Sequence, residues 1–126
     1  MEHDEELVKG LYDQMKPVLD KSEQPIYIYL DDNHKACNEK FSTMLGYKSP
    51  QDWAEVKGFL EPFVAKESQQ SIQATFWDAN NQMKATTMQL SFKKKNSGTV
   101  DANMIMVPVT FKGHLFWIHY ITKTSK

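Results

Sequence analysis

The chain has 126 residues, of which 40% are hydrophobic and 12% aromatic, and its formal net charge is -1. This length and composition fit one domain that buries its own core, and they exclude general disorder. All 15 basic residues are lysine, so the arginine fork that usually recognises phosphate or guanine is missing and we expect no nucleic-acid partner.

The first predicted element is an amphipathic helix from about Asp4 to Lys21. Four apolar residues recur at helical spacing and form one stripe: Leu7, Leu11, Met15 and Val18. Pro17 is expected to kink or end this helix. Because a polar break follows at residues 21–24, we assign residues 1–22 to a flanking helix and residues 23–126 to the main domain.

Two short strands come next and are expected to pair as a hairpin. Residues 25–30 are apolar on both faces, which predicts a strand that is covered on both sides. Asp31, Asp32 and Asn33 favour a turn because their side chains bond their own backbone. Residues 34–37 then return as a second strand.

Several helices occupy the middle of the chain. Asn38 is placed to cap a short helix that Gly46 ends. Ser49 and Pro50 have the residue types of another helix start. A longer helix is predicted from about Ala65 to Ala79.

Three strands end the chain. They are predicted at residues 83–94, 100–111 and 114–122, with turns at 96–98 and 112–113. The order of helix, two strands, helices and three strands predicts an α+β fold, in which helices pack against one face of an antiparallel sheet.

Composition also bears on location. The first nine residues are acidic and polar, unlike a signal peptide, and no apolar run approaches the roughly 20 residues of a membrane span. A single cysteine, Cys37, leaves no internal disulfide. We therefore expect a cytoplasmic protein.

Particular residues within this order resemble the PAS domain family. They are Asp31-Asp32-Asn33 after the first strand, Asn38-x-x-Phe41-x-x-x-Leu45-Gly46-Tyr47, Ser49-Pro50-x-Asp52, Asn96-Ser97-Gly98, Pro108 and Ile121-Thr122. The resemblance covers about residues 25–123. It implies a five-stranded antiparallel sheet of order 2-1-5-4-3 that curves around helices, with the family's usual ligand cavity between the helices and the inner face.

Alternation along the strands then assigns residues to the cavity. The expected ligand-binding residues are Ile28, Leu30, Phe41, Met44, Ile72, Phe76, Met88, Leu90, Met104, Met106, Phe116 and Ile118, with Phe59 and Phe63 close by. This lining has almost no ionisable group and is rich in methionine, which adapts to several apolar shapes. We expect either a small apolar ligand or a core that fills the space.

The opposite face predicts an interaction surface. Its expected members are the helical stripe Leu7, Leu11, Met15 and Val18 together with Tyr27, Tyr29, Ile105, Val107, Val109, Trp117, His119 and Ile121. Left bare, such a patch exceeds what monomers usually expose. The stripe either covers its own sheet or pairs across a two-fold axis in a homodimer. His119 is expected to be buried and hydrogen-bonded.

Residues for cofactor or metal chemistry are not found where the family places them. Light-sensing members carry a cysteine in a helix that corresponds to residues 55–63, which contain none here, so a flavin–thiol adduct is not expected. Haem-binding members commonly supply a histidine from the long helix, and residues 65–79 have none. The histidines lack metal-ligand spacing. We expect no metal and no catalytic residue.

The sequence thus predicts a sensory or regulatory module of signal transduction, which binds a small apolar ligand or a partner protein. One alternative is a ligand-free dimerisation or docking domain. Another is a small cone-shaped α+β enzyme, which would need polar groups inside the cavity.

Overall fold

A computed structural model describes residues 2–124, which contain five helices and five strands. The helices are α1 (Glu2–Lys21), α2 (Glu39–Met44), α3 (Pro50–Ala54), α4 (Leu60–Phe63) and α5 (Lys66–Gln82). The strands are β1 (Ile26–Asp31), β2 (His34–Cys37), β3 (Thr86–Lys93), β4 (Thr99–Phe111) and β5 (His114–Lys123). They form one antiparallel sheet of order β2-β1-β5-β4-β3, so the predicted α+β class and strand order are confirmed.

Helix α1 runs through Pro17, so of the two predicted effects of this proline, a kink or an end of the helix, the end is wrong. The proline is exposed, and the last turn beyond it is held by Leu19, whose side chain is buried against the sheet. Asn38 also donates a hydrogen bond to the Leu19 carbonyl. Tertiary contacts therefore outweigh the backbone bond that proline removes. Within residues 2–124, no helix is long and apolar enough to span a membrane.

The helix starts in the middle of the chain follow the predicted caps. The Asn38 side chain accepts a hydrogen bond from the Phe41 amide at the start of α2, and the Ser49 hydroxyl accepts one from the Asp52 amide at the start of α3. Gly46 follows α2 with φ at +86°, a left-handed conformation that glycine adopts without strain. Local residue chemistry fixes these boundaries.

Helix α5 is longer than predicted, and β3 begins later as a result. The helix continues to Gln82 and is closed by Met83 in a left-handed conformation. The prediction that β3 starts at Met83 is therefore wrong, and the strand begins at Thr86. Residues 80–82 are Asn-Asn-Gln and contain no glycine or proline to mark a helix end, so this boundary was hard to predict from the sequence.

Two hydrophobic cores lie on opposite faces of the sheet. On the inner face the helices α2 to α5 pack on β3, β4 and the inner residues of β1 and β5; this core includes Phe41, Trp53, Phe63, Phe92, Met104 and Met106. On the outer face α1 packs on β1 and β5; this core includes Leu7, Leu11, Leu19, Ile28, Phe116 and Ile118. The sheet is thus covered on both sides along its β1–β5 half, as the apolar sequence of β1 predicted.

The faces of β1 and β5 are the reverse of the prediction. The residues predicted to face the cavity from these strands, Ile28, Leu30, Phe116 and Ile118, lie on the outer face under α1. The residues predicted to face outward, Tyr27, Tyr29, Trp117, His119 and Ile121, lie on the inner face. The register fixes this, since His119 is paired with both Tyr27 and Met106, and Met106 faces the inner core.

The other predicted faces agree with the structure, with one exception on α1. Met88, Leu90 and Phe92 of β3 and Met104 and Met106 of β4 face the inner core. Ile105 and Val107 pair with the outer residues Tyr120 and Ile118. On α1 the sheet-facing stripe contains Val8 and Leu19, whereas Val18 is 54% exposed, so its predicted place in the stripe is wrong.

Candidate functional site

A pocket of about 340 Å³ opens between α5 and the inner face of the sheet. Its lining residues come from β1, the segment before α4, α5, β4 and β5: Tyr27, Tyr29, Asp32, Phe59, Leu60, Ile72, Gln73, Phe76, Trp77, Met106 and His119. This volume lies at the lower end of small-molecule pockets, and the largely apolar lining with a few polar groups is typical of them.

Aromatic rings form most of the pocket wall, with Tyr29 at the centre. Its ring meets those of Phe59 and Phe76 edge to face, with centroids 5.4 Å and 5.7 Å away. Tyr27 stacks flat on His119 at 4.0 Å and an interplanar angle of 7°. Such edge and stacked contacts are the favoured arrangements of aromatic pairs, so the wall is held in place before any ligand arrives.

His119 is the least ordinary group of the pocket. It is buried, and among residues 2–124 its Nδ1 has no hydrogen-bond partner. Burial lowers the pKa of His119 to about 3, and nearby backbone groups of Tyr27 and Trp117 offset only part of this shift. The prediction that this histidine is buried is confirmed, whereas its predicted hydrogen bond is not found at Nδ1. The imidazole is therefore neutral at physiological pH.

The polar groups at the pocket mouth come from the β1–β2 turn and from α5. The Tyr29 hydroxyl donates a hydrogen bond to Asp32 Oδ1, and burial together with this carboxylate raises the pKa of Tyr29. Trp77 lies at the mouth with 67% of its surface exposed. The lining was expected to have almost no ionisable group, whereas Asp32 and His119 both belong to it.

Three of the twelve predicted ligand-binding residues line the pocket, namely Ile72, Phe76 and Met106, and Phe59, which was expected close by, lines it too. Phe41, Leu90 and Met104 are buried in the inner core, and Met44 and Met88 pack at its margin. Three residues predicted for the interaction surface, Tyr27, Tyr29 and His119, line the pocket instead. The exchange follows directly from the reversed faces of β1 and β5.

Sequence reasoning missed Lys35, a lysine on β2 that is only 4% exposed. Its ammonium donates to the carbonyls of Asp32 at 2.8 Å and Val56 at 2.7 Å, and it lies 5.5 Å from the centre of the Trp53 ring. Burial lowers the pKa of Lys35 to about 8, against the opposing attraction of Asp32 and Asp31. The residue joins the hairpin turn to the end of α3. Its position two residues before the buried Cys37 on a short strand was the available signal.

The surroundings of the single cysteine indicate a structural rather than a reactive side chain. Cys37 is fully buried on β2, and desolvation raises the pKa of its thiol. A thiolate is the reactive form of cysteine, so burial makes this side chain a poor nucleophile.

Comparison with known proteins rests on structure alone, since no family model and no curated protein matches the sequence. The fold is similar to a PAS domain from a two-component sensor histidine kinase, with a TM-score of 0.69, 9% identity, and coverage of 92% of this chain and 98% of that one. It is similar to a Rhodobacter sphaeroides LOV protein at a TM-score of 0.72 and 18% identity, covering 93% and 69% of the two chains. A PAS domain from Colwellia psychrerythraea gives a TM-score of 0.72 at 12% identity, covering 90% and 97%. The resemblance found in the sequence is therefore confirmed, and the chain has the PAS fold.

Proposed function

We propose that the chain is a non-catalytic sensory module of signal transduction in the cytoplasm, and that it binds a small, uncharged aromatic molecule in the pocket beneath α5. The observation that carries the proposal is the ring-lined wall around Tyr29, which leaves about 340 Å³ unfilled beside a buried imidazole. Flat rings stack well on such a wall. The alternative of a filled core has less support, since these side chains leave the space open.

The ionisable groups of the pocket favour recognition over catalysis. A general base works best with a pKa near the operating pH, and His119 lies well below it, at about 3. A neutral imidazole still offers a hydrogen bond to a ligand. Asp32 is already engaged by the Tyr29 hydroxyl at the mouth. We therefore propose His119 as the polar contact that selects among aromatic ligands.

The test fills the pocket with one substitution. Ile72→Phe places extra volume in the lining, and we expect it to weaken binding of any aromatic compound by at least about tenfold. Ile105→Phe is the matched control, because Ile105 is on the outer face and 44% exposed. Ligand-observed NMR with small uncharged aromatic compounds supplies the probe, and native mass spectrometry of gently purified protein detects a resident one. Compounds that bind both variants equally, or no binding compound at all, would contradict the proposal.

A second proposal concerns α1 and the outer face as a contact surface between two copies of the chain. Val18 is 54% exposed on α1, and Ile105 is 44% exposed on the face that α1 covers in part. Exposed apolar side chains on a flanking helix suit a two-fold contact. Most of the outer apolar surface is already buried under α1 of the same chain, so this contact would use the apolar side chains that remain exposed.

Deletion of residues 1–22 tests this second proposal. We expect the full chain to sediment as a dimer. The shortened chain should form assemblies of a different mass and associate less specifically, because Ile28, Phe116 and Ile118 lose their cover. Sedimentation equilibrium of both proteins measures this. A soluble monomer both before and after the deletion would contradict it.

A further inference from the structure

We propose that the chain binds a divalent transition metal ion, of which Zn²⁺ is typical, between α1 and the β1–β2 hairpin. The ligands are the carboxylates of Asp4 and Asp31 and the imidazole of His34. One ligand atom from each residue lies within 4.8 Å of the other two. Asp4 belongs to the first turn of α1, whereas Asp31 and His34 flank the hairpin turn, so the cluster joins two separate parts of the fold.

The distances are close to those of a bound ion. Zinc binds imidazole nitrogen and carboxylate oxygen at roughly 2.0–2.2 Å, which separates tetrahedral ligand atoms by roughly 3.3–3.6 Å. His34 Nδ1 and Asp31 Oδ1 are 2.7 Å apart in a hydrogen bond that the ion would replace, and no pair in the cluster exceeds 4.8 Å. Each ligand atom therefore has to move by about an ångström to reach tetrahedral geometry. A water molecule would complete four-coordination.

The donor set decides the class of ion. Two carboxylates with one imidazole suit Zn²⁺, Co²⁺ and similar ions, whereas Ca²⁺ and Mg²⁺ prefer oxygen ligands alone. The imidazole is held in the cluster, since the His34 side chain is only 14% exposed and contacts Asp31. This sets the cluster apart from a patch of surface acids.

Further acidic residues neighbour the proposed ligands along the chain. Glu5 and Glu6 follow Asp4 in α1, and Asp32 follows Asp31 in the turn. The ring of His3, the residue before Asp4, contacts that of His114, with centroids 5.4 Å apart. The Lys35 ammonium on β2 interacts with Asp32 and Asp31 and offsets part of this acidic charge. The N-terminal end of α1, which itself favours anions, is offset by these carboxylates.

An ion at this place would attach the start of α1 to the hairpin whose turn carries Asp32 at the mouth of the pocket. The helix covers the outer core, so its position on the sheet would depend on metal occupancy. The inference stands apart from ligand binding in the pocket, because none of the three ligands lines that pocket.

The experiment is a calorimetric titration of the tag-free chain with ZnCl₂, joined to a CoCl₂ titration followed by visible absorption. We expect one ion per chain, a raised Tm with Zn²⁺, and the intense absorption of four-coordinate Co²⁺. Asp31→Asn and His34→Gln should each weaken Zn²⁺ binding by more than the roughly 10–100-fold that loss of an outer-sphere partner costs. Asp13→Asn is the control, since Asp13 is an exposed acid of α1 paired with Lys9.

Each outcome decides the proposal. Binding that survives both ligand variants, or that falls equally in Asp13→Asn, would place the ion elsewhere and overturn it. Saturation with Mg²⁺ or Ca²⁺ as tight as with Zn²⁺ would overturn the class of ion. Absence of Co²⁺ absorption and of a Zn²⁺ heat signal in the folded wild-type chain would overturn the site itself.

Discussion

The folded chain should lose about 3 kcal/mol of its free energy of unfolding between about pH 7 and pH 4 through His119 alone. The imidazole has an ordinary pKa of 6.5 and a folded pKa of about 3, with burial as the main cause. Between these values the unfolded chain binds a proton that the folded chain does not. The contribution is therefore fully present above about pH 6.5 and is lost as the pH falls towards 3.

This loss is large compared with the whole stability of a small domain, which is roughly 5–15 kcal/mol. Urea denaturation at a series of pH values measures it. In His119→Phe the free energy of unfolding should decline less steeply as the pH falls, because the group that takes up the proton on unfolding is gone. His114→Gln is the control, since it removes a histidine of the same strand that is only partly buried.

A direct titration keeps the prediction testable if His119→Phe folds poorly. The NMR signals of the His119 ring should show no protonation in the folded chain down to about pH 4. An imidazole that titrates near its ordinary pKa, or equal pH slopes for the wild-type chain and His119→Phe, would show that water reaches the ring. The neutral, selective contact proposed for the pocket would then lose its basis.

The sequence was informative wherever a single residue dictates local backbone chemistry. Asn38 and Ser49 were identified as helix caps because short polar side chains accept amide hydrogen bonds at helix starts. Gly46 marked a helix end through its freedom at positive φ. The strand order followed from the family resemblance that these residues carry, and the fold as a whole was predictable on that basis.

The pocket was less predictable because β1 and β5 are apolar on both sides. In β3 and β4 the polar residues Gln89 and Asn103 identify the outer face. Tyr27 and Ile28 give no such contrast, since each is covered, one by the helices of the inner face and one by α1. A shift of one residue in alternation exchanges the whole face. Only the pairing of His119 with Met106 settles which set faces the pocket.

Replacement of Asn38 by alanine should cost about 3–4 kcal/mol of unfolding free energy. This side chain is 2% exposed and makes four hydrogen bonds. Its oxygen accepts from the amides of Ile26 at 3.0 Å and Phe41 at 3.1 Å. Its nitrogen donates to the carbonyls of Gln24 at 3.0 Å and Leu19 at 3.3 Å. Alanine leaves all four backbone groups without this partner, in a part of the chain that water enters poorly.

The four bonds connect the end of α1, the start of β1 and the start of α2, so their loss should loosen the junction between flanking helix and sheet. Asn38→Asp separates the accepted hydrogen bonds from the donated ones. A carboxylate retains both acceptor bonds, but it faces two carbonyls without a proton to donate. We expect it to cost nearly as much as Asn38→Ala at neutral pH and to recover part of the loss in acid. Ser49→Ala, which removes a cap alone, should cost only about 1 kcal/mol. If urea denaturation gave Asn38→Ala no larger an effect than Ser49→Ala, the asparagine would act as a simple cap, and the α1–sheet junction would have to be held by the apolar contacts of Leu19 and its neighbours.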